Sequence, residues 1–320
     1  MGNDIKTYKV KLQFRGPVHF GNKENTYNST DFILHSDTIF SGIINCIGLL
    51  YGKKIADEVV DMFLRNIIPF KISSAFLYKD DEYYIPKPLD FDLYDLFNDY
   101  KESKKVKYIP LSFLKKQNYI KDLDKDAVSL SKGHLLINEA NGKLFEIIER
   151  PRVLVDRVTA SSNIYYVSEC YFNQGTGLWF YLDIIDKGLE KSVLTAIKLL
   201  GDEGLGGERT YGLGLFEPDF IVDDNREFIN ANKFLSLSLI YPKDDEKISS
   251  KLKYFTIIER GGYAFSLYTT ELKRKRVRMV SEGSVFDKQP YGAVIDVAPN
   301  NFDKHKIVRY GIAYTYPLYD

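Results

Sequence analysis

The sequence predicts an α+β protein made of two ferredoxin-like domains, the class to which RNA-recognition modules belong. Its 320 residues suit two domains of ordinary size. Residues 1–222 show strand and helix patterns in the order β-α-β-β-α-β, which is the ferredoxin-like order. Residues 228–320 show strand-like runs with little helical signal. We therefore expect a first domain at 1–222, carrying an insertion at about 79–150, and a β-rich, degenerate second domain at 228–320.

The first strand, helix and second strand are visible in the hydrophobic pattern. Polar and apolar residues alternate from Thr7 to Phe14, as in a half-buried strand. Apolar residues recur at helical spacing from Ile39 to Ile47 and predict a helix there. Ser36 or Asp37, just before these residues, can cap its N-terminus. A second amphipathic stretch at 53–65 precedes strand-like residues at 69–78.

Residues 79–150 show no regular pattern, so we interpret them as an insertion that includes a hairpin and serves binding. Regularity then returns in a second half of strand, strand, helix and strand. The predicted strands are 164–167, 178–182 and 215–222, and the helix is 189–200. Beyond a boundary at 223–227, strands are predicted at 233–241, 254–258, 277–280, 292–297 and 307–314.

Composition excludes several classes of protein. There are 44 basic and 44 acidic residues, so the chain does not coat nucleic acid or membrane by bulk charge. The last 70 residues nevertheless carry a net charge of +5. Two cysteines cannot build a disulfide framework or a four-cysteine zinc site. The N-terminus shows no signal-peptide pattern, and the longest apolar stretch, 43–51, is too short to span a membrane. We expect a soluble, cytoplasmic protein.

A glycine cluster at 201–214 is the sharpest motif in the sequence. It contains six glycines together with Arg209, between a predicted helix and a predicted strand. Glycine tolerates positive φ and leaves backbone amides accessible, so the cluster suits a phosphodiester. It has no Gly-Lys-Ser/Thr, and a dinucleotide motif would follow a strand and lead into a helix. The alternative is a long flexible turn without a ligand.

A basic run at 273–278 places five Lys or Arg residues in six positions. In an extended strand, Arg274, Arg276 and Arg278 would point to one face, where they could contact successive phosphates of a single-stranded nucleic acid. A solvated strand edge, or a surface for an acidic partner, is the alternative interpretation.

His35 and Arg157 are further candidates. His35 precedes a helix and could act as a general acid or base, but its position favours a histidine that is structural or that hydrogen-bonds a phosphate or a partner. Arg157 could face the same groove as Arg209, or form a surface pair with Asp156. The scattered histidines and carboxylates give no metal-site spacing, and no serine or cysteine nucleophile pattern is present.

Six motifs occurring in order resemble the RAMP superfamily of CRISPR proteins, and more specifically the fourth Csm subunit of type III-A effector complexes. Apart from 79–150, they cover nearly the whole chain. They are His35 to Ser41, Val155 to Thr159, Gly201 to Arg209, Arg260 to Phe265, Glu282 to Phe286, and Tyr310-Gly311.

The resemblance implies two ferredoxin-like domains, an RNA-contacting glycine loop and a hairpin thumb. It implies a non-catalytic subunit that holds the 5′ handle of the crRNA and bridges the large polymerase-like subunit to the first backbone subunit. Catalytic residues, metals and cofactors are not expected. The predicted RNA-binding residues are His35, Ser36, Arg157, Gly204, Gly206, Gly207, Arg209, Arg274, Arg276, Arg278 and Ser284.

The sequence is also consistent with two other functions. One is a metal-independent endoribonuclease that processes precursor crRNA, with His35 as general base. The other is a protein-interaction subunit that makes no RNA contact. Cleavage of repeat RNA without metal would distinguish the first from the scaffold, and failure of the chain and its complexes to bind RNA would indicate the second.

Overall fold

The structure is a computed structural model describing residues 5–21, 27–97, 99–115, 128–137, 143–223, 231–243, 252–266 and 272–318. These residues form a mixed fold, mostly sheet with few helices. The helices are α1 (Ser36–Tyr51), α2 (Lys53–Leu64), α3 (Tyr94–Phe97), α4 (Tyr100–Lys105), α5 (Ser112–Lys115) and α6 (Glu190–Glu203). The strands are β1 (Lys6–Phe14), β2 (Phe20–Gly21), β3 (Thr30–Asp31), β4 (Phe70–Ile72), β5 (Phe76–Lys79), β6 (Glu82–Pro86), β7 (Tyr108–Pro110), β8 (Val128–Ser131), β9 (His134–Ile137), β10 (Phe145–Val155), β11 (Ser162–Phe172), β12 (Thr176–Ile184), β13 (Phe216–Val222), β14 (Lys233–Ser236), β15 (Leu252–Tyr254), β16 (Ile257–Arg260), β17 (Val277–Val280), β18 (Val285–Phe286), β19 (Ile295–Asp296), β20 (Val308–Arg309) and β21 (Thr315–Leu318).

The main sheet has the order β13-β1-β12-β5-β6-β7-β9-β8, and β4 also pairs with β12. β1 lies between β12 and β13 and is antiparallel to both. Its alternating pattern buries Val10 and Leu12 while Lys9 and Lys11 stay partly exposed, as one solvated face requires. All nine residues of β12 are buried, so this central strand is covered on both faces.

α1, α2 and α6 cover one face of the main sheet. Apolar residues at helical spacing on α1 and α6 share a core with β1 and β12. α1 and α6 approach closely at Gly42, where a Cβ would lie 2.9 Å from a methyl carbon of Leu200. On the other side of β12, Trp179 and Tyr181 pack in a second cluster with Leu235, Val285 and Tyr314. The C-terminal residues therefore form the second layer over the sheet.

The C-terminal part of the chain is built from short strands. β15, β18, β14 and β21 form a four-stranded sheet in that order, and β16–β17 and β19–β20 form separate pairs. Within the described residues from 216 to 318 there is no helix. This agrees with the predicted shortage of helical signal in this part of the sequence.

The stretch predicted as an irregular insertion extends the main sheet. β6 pairs directly with β5, and β7, β9 and β8 continue from β6. Within the predicted insertion, β8 and β9 pair as a short hairpin, from Val128 with Ile137 to Ser131 with His134. A longer hairpin, β10–β11, pairs from Phe145 with Phe172 to Val155 with Ser162 and lies mostly beyond the predicted insertion boundary at 150. Residues 116–127 and 138–142 of the expected insertion lie outside the described residues.

Candidate nucleic-acid interface

The glycine loop connects α6 to β13 and packs against residues 17–20. Gly206 has φ 95°, and a Cβ there would lie 2.5 Å from the His19 carbonyl oxygen. At Gly214, a Cβ would lie 2.0 Å from the Leu205 carbonyl oxygen. Glycine is required at these two positions because a side chain would collide with neighbouring backbone. The loop is therefore folded against the domain.

Several loop amides are used inside the protein. Leu205 N–H donates to the Gly214 carbonyl, Gly207 N–H to that of His19 at 2.9 Å, and Gly214 N–H to that of Pro17. This corrects the expectation for Gly207, whose amide is not available to a phosphate. Gly204 is also structural, because it ends α6 at φ 81° with its N–H bonded to the Leu200 carbonyl. The glycines thus shape the loop.

The amides that can meet a ligand lie just after the glycines. Within the described ranges, the N–H groups of Glu208, Arg209 and Thr210 donate to no protein acceptor. They stand at the start of a short 3₁₀ turn, Arg209–Tyr211, where Glu208 has the left-handed φ of 57°. Consecutive amides in such a turn point the same way and can surround an anion.

Two cations and two aromatic rings lie on this turn or against its side chains. The guanidinium of Arg209 lies 5.1 Å from the ring centre of Phe265, and that of Arg152 lies 4.3 Å from the ring centre of Tyr211. Both rings are at least half exposed. We call Arg152, Arg209, Tyr211 and Phe265 the loop surface. Guanidinium groups beside exposed rings suit a single-stranded nucleic acid, whose phosphates and bases they can contact together.

Arg152 was not among the predicted RNA-binding residues. On β10 its guanidinium is 2.8 Å from Glu208 Oε2 and 3.2 Å from Glu169 Oε1, which fixes it beside the glycine loop. Burial lowers the pKa of Arg152, but Glu169 and Glu208 more than offset this and raise it. The Arg150-Pro151-Arg152 pattern was the available signal. The sequence could not show that a residue 56 positions before Glu208 would contact it.

The β10–β11 hairpin carries an exposed apolar strip. Val153, Leu154, Val155, Val158 and Ile164 are each more than half exposed, and Val158 is 92% exposed. Arg157 is exposed in the connecting turn, beyond the last register pair, Val155 with Ser162. The structure therefore places Arg157 at the hairpin tip and Arg152 at the loop surface. The Asp156 carboxylate accepts the amides of Val158 and Thr159 instead of pairing with Arg157.

His35 and Ser36 join the two halves of the protein. His35 Nδ1 lies 2.8 Å from Glu282 Oε1, and the carboxylate also accepts the hydroxyl of Ser74. The Ser36 hydroxyl accepts the Leu239 N–H at 3.1 Å. Burial lowers the pKa of His35, but Glu282 more than offsets this and the pKa is raised. Burial raises the pKa of Glu282, and His35 with Ser74 brings it down to about 2.

Two of the predicted RNA contacts are wrong, because the side chains concerned are buried. Ser36 and Ser284 have no exposed surface, so neither side chain can contact RNA. The Ser284 hydroxyl instead accepts the Thr256 N–H at 3.3 Å. The predicted helix cap is also wrong, because α1 begins after His35 and no side chain caps it. These polar groups satisfy backbone donors in the interior.

Asp37 is the centre of a buried ionic cluster. Arg260 donates to both of its carboxylate oxygens at 3.0 Å, and Arg309 donates to Oδ2. Burial would raise the pKa of Asp37, but Arg260 and Arg309 hold this pKa far below its usual range. The cluster joins α1 to β16 and β20 across more than 200 positions of sequence.

The basic run does not form one face. β17 begins only at Val277, so Arg274 and Arg276 precede the strand. Arg274 is turned inward, and burial together with Arg309 lowers its pKa to about 10. Arg276 pairs with Glu259 at 3.3 Å, and Arg278 lies opposite Glu259 in the β16–β17 ladder. The predicted phosphate-tracking row is therefore corrected: only Arg276 and Arg278 are exposed.

Two further properties of the described chain bear on function. No group of three or more His, Cys, Asp and Glu side chains is arranged there to hold a metal ion. Each helix in the described ranges is too short or too polar to span a lipid bilayer.

Comparison with known proteins identifies the class. A family model described as the CRISPR Csm4 C-terminal domain matches residues 229–318. The protein named CRISPR system Cms protein Csm4 from Thermococcus onnurineus is 28% identical over 289 residues, covering 89% of this chain and 91% of that protein. The protein of the same name from Streptococcus thermophilus is 27% identical over 318 residues, covering 95% and 96%.

Solved structures show the same fold. A chain of the Csm3-Csm4 subcomplex of the type III-A CRISPR-Cas interference complex aligns with a TM-score of 0.69 at 21% identity, covering 98% of this chain and all of that one. A chain of the Csm1-Csm4 cassette in complex with cA4 aligns with a TM-score of 0.62 at 21% identity, covering 98% of each. The chain is therefore Csm4-like: it is similar over most of its length to Csm4 proteins of CRISPR systems, as the sequence motifs predicted.

Proposed function

We propose that this protein is a non-catalytic, RNA-binding scaffold subunit of a type III-A CRISPR interference complex. In this role it holds the 5′ handle of the crRNA and bridges the large polymerase-like subunit to a backbone subunit. The observation that carries the RNA-binding part is the loop surface, where two arginines and two exposed rings lie on or against the turn that carries three available backbone amides. The similarity to Csm4 proteins supports the placement in a complex.

The charges at the loop surface indicate which side chains would contact the RNA. Arg209 has no carboxylate partner among the described residues, whereas Arg152 shares Glu169 and Glu208. Arg209 is therefore the cation with charge to offer a phosphate, and Tyr211 and Phe265 offer faces on which bases can stack. The exposed hairpin beyond Arg152 extends this surface and corresponds to the expected thumb.

The partner proposal rests on the structural relatives. One of these relatives belongs to a Csm1-Csm4 cassette and another to a Csm3-Csm4 subcomplex. We propose equivalent partners here. The apolar strip of the hairpin fits this role, because an exposed patch of large apolar residues commonly marks a macromolecular interface.

We also assign the first sheet to the ferredoxin-like class. Its central strands run β13-β1-β12 and then β4 and β5, which is the order of the fourth, first, third and second strands of that fold. α1 and α6 take the two helix positions on one face. The second domain keeps the proposed degenerate character, since its strands are short and split among several small sheets.

The proposal assigns His35 a structural role. Its imidazole Nδ1 is held by Glu282 and its side chain is mostly buried between the two halves, which supports that role. Incubation of labelled repeat RNA with the protein in EDTA tests this point. We expect no cleavage by the wild-type protein, and cleavage that His35→Ala abolishes would establish the endoribonuclease.

Purification of the tagged full-length chain from its native host tests the proposal as a whole. We expect co-purification of a large subunit, a backbone subunit and a short RNA that begins with repeat sequence. Ultraviolet crosslinking followed by mass spectrometry should map the RNA to Tyr211 or Phe265. Partners without RNA would support the protein-interaction alternative, and a chain without partners would contradict the proposal.

A further inference from the structure

A cavity of about 230 Å³ lies between α1, α2 and the C-terminal part of the chain. Its walls are mainly apolar and include side chains of Ile44, Leu49, Val60 and Ile307. It is smaller than the roughly 300–1,000 Å³ typical of drug-sized ligands. Its volume and walls therefore suit the apolar body of a small ligand.

Arg274 supplies a cation inside this cavity. The residue lines the wall, and its Nε is buried without a hydrogen-bond partner. Among the described residues, Arg274 forms no ion pair, because Asp37 is already held by Arg260 and Arg309. A buried guanidinium N–H without an acceptor is energetically costly, and an anion beside it would reduce that cost.

The other cations of the wall are already paired. Lys53 pairs with Asp57 at 2.9 Å, and Lys306 pairs with Asp61. His305 Nε2 lies 2.9 Å from the hydroxyl of Ser266. In the part of the chain that the structure describes, the cavity therefore offers one uncompensated positive charge, and the Asp57 carboxylate on its wall disfavours a polyanion such as RNA.

We propose that this cavity, the Arg274 pocket, binds a small carboxylate whose apolar body fills the space between α1 and α2. The planar guanidinium can donate two parallel hydrogen bonds to a carboxylate, which gives both affinity and orientation. The apolar walls select an aliphatic or aromatic body over a sugar. Phe265 lines both this cavity and the loop surface, so the two sites adjoin. The carboxylate proposal rests on Arg274 and does not depend on the proposed RNA function.

Octanoate and its neutral analogue octanamide provide matched probes, because they differ only in the charged head group. In titration calorimetry with the full-length chain, we expect octanoate to bind at least tenfold more tightly than octanamide, as loss of a charge-assisted pair implies. Arg274→Gln should remove that difference. Arg276→Gln changes the same basic run outside the cavity and should leave octanoate binding unchanged.

A second variant tests whether the probes bind in the cavity, because it fills part of the cavity with a side chain. Gly48→Leu should block both probes, because Gly48 lies on the wall and a Cβ there meets only the Ala56 methyl at 3.6 Å. Leucine is also compatible with the helix, so folding should be retained. Equal binding of the two probes, or octanoate binding unaffected by Arg274→Gln and Gly48→Leu, would overturn the proposal. Adenosine monophosphate binding more tightly than octanoate would overturn the carboxylate class.

Discussion

Arginine side chains occupy two different environments in this chain, and burial decides what each can do. Arg260 and Arg309 surround Asp37 in the interior, where their charge holds two distant parts of the chain together. Arg209 lies at the surface beside Phe265, where its charge is available to a phosphate. The sequence alone does not distinguish these arginines, because nothing in the local sequence shows which of them is buried.

Replacement of Arg209 tests the RNA-binding role of a partly exposed arginine. Arg209→Ala should weaken crRNA binding by the reconstituted complex, and the slope of log affinity against log salt concentration should become shallower by about 0.7, because one phosphate fewer is neutralised. The loss of affinity should be similar for different handle sequences, since a phosphate contact does not read bases. Filter binding at several salt concentrations measures both quantities. Arg276→Ala is the matched control, and an equal effect of the two variants would contradict the assignment.

The His35–Glu282 pair predicts a pH-dependent stability. The pKa of His35 is raised in the folded protein, so its contribution is complete below the ordinary value near 6.5 and is lost as pH rises through the raised pKa. The pKa of Glu282 is about 2, below its ordinary value of 4.5, so its contribution is lost as pH falls from about 4.5 toward 2.

Urea unfolding midpoints from pH 3 to pH 9 measure this dependence. We expect the wild-type protein to be most stable between these acidic and alkaline limits. Glu282→Gln should make the loss of stability smaller at both ends of the pH range. Arg276→Gln alters an exposed ion pair instead and should leave the profile unchanged. A Glu282→Gln profile identical to that of the wild-type protein would show that the pair does not set the pH dependence.

At the scale of elements, the glycine loop shows how local sequence and tertiary packing combine. Its glycines predicted unusual backbone geometry, and the structure confirms positive φ at Gly204, Gly206, Gly212 and Gly214. The sequence could not show that His19 and Pro17 would accept the loop amides. The loop is therefore more rigid than a ligand-free flexible turn, and substitutions in it affect folding as well as binding.

A comparison of two loop glycines separates backbone strain from packing. Gly206→Ala combines a φ of 95° with a Cβ 2.5 Å from the His19 carbonyl oxygen, whereas Gly212→Ala at φ 80° meets nothing within 4 Å. Gly212→Ala should cost about 1–2 kcal/mol from the left-handed conformation alone. Gly206→Ala should cost about 1–3 kcal/mol more, because the loop must shift. Urea denaturation measures both, and equal losses of stability would contradict the packing argument.

The β10–β11 hairpin predicts a separation of stability from assembly. Val153 and Ile164 lie opposite each other and are both more than half exposed. Val153→Asp with Ile164→Asp should therefore change the free energy of unfolding by no more than about 1 kcal/mol. The same double variant should lower the yield of assembled complex on gel filtration, because charges replace the apolar strip. Val153→Thr with Ile164→Thr is the milder control, and undiminished assembly of the Asp variant would exclude the hairpin from the interface.

For the whole molecule, short-range pattern and long-range contact differ in how far they can be predicted. The alternation from Thr7 to Phe14 predicted β1, and helical spacing predicted α1 and α6, because these signals repeat within a few residues. Asp37 was predicted as a helix cap, but it pairs with Arg260 and Arg309, 223 and 272 positions away. Such contacts depend on the packed arrangement of both halves, which no local pattern encodes.

The two halves share two hydrophobic clusters, one on each side of the main sheet. Tyr310 stacks on Phe40 with ring centres 4.8 Å apart, and its hydroxyl accepts the Ile72 N–H at 3.1 Å. The single tryptophan, Trp179, packs in the cluster that also contains Leu235 and Tyr314. The fluorescence of Trp179, a residue of the N-terminal sheet, is therefore sensitive to the packing of the C-terminal layer. Although the sequence predicts two domains, these contacts make the halves depend on each other for stability.

Equilibrium unfolding tests this dependence. The full chain should unfold in one transition, with coincident urea midpoints from Trp179 fluorescence and far-ultraviolet circular dichroism. A chain ending at residue 222 should not fold cooperatively, because it lacks Tyr310 and leaves Asp37 without Arg260 and Arg309. Removing the partners of a buried charge alone costs about 3–5 kcal/mol, a large part of a domain's stability. Arg309→Met in the full chain isolates part of this effect and should lower the midpoint. A fragment with the midpoint of the full chain would show that the N-terminal half is an independent folding unit.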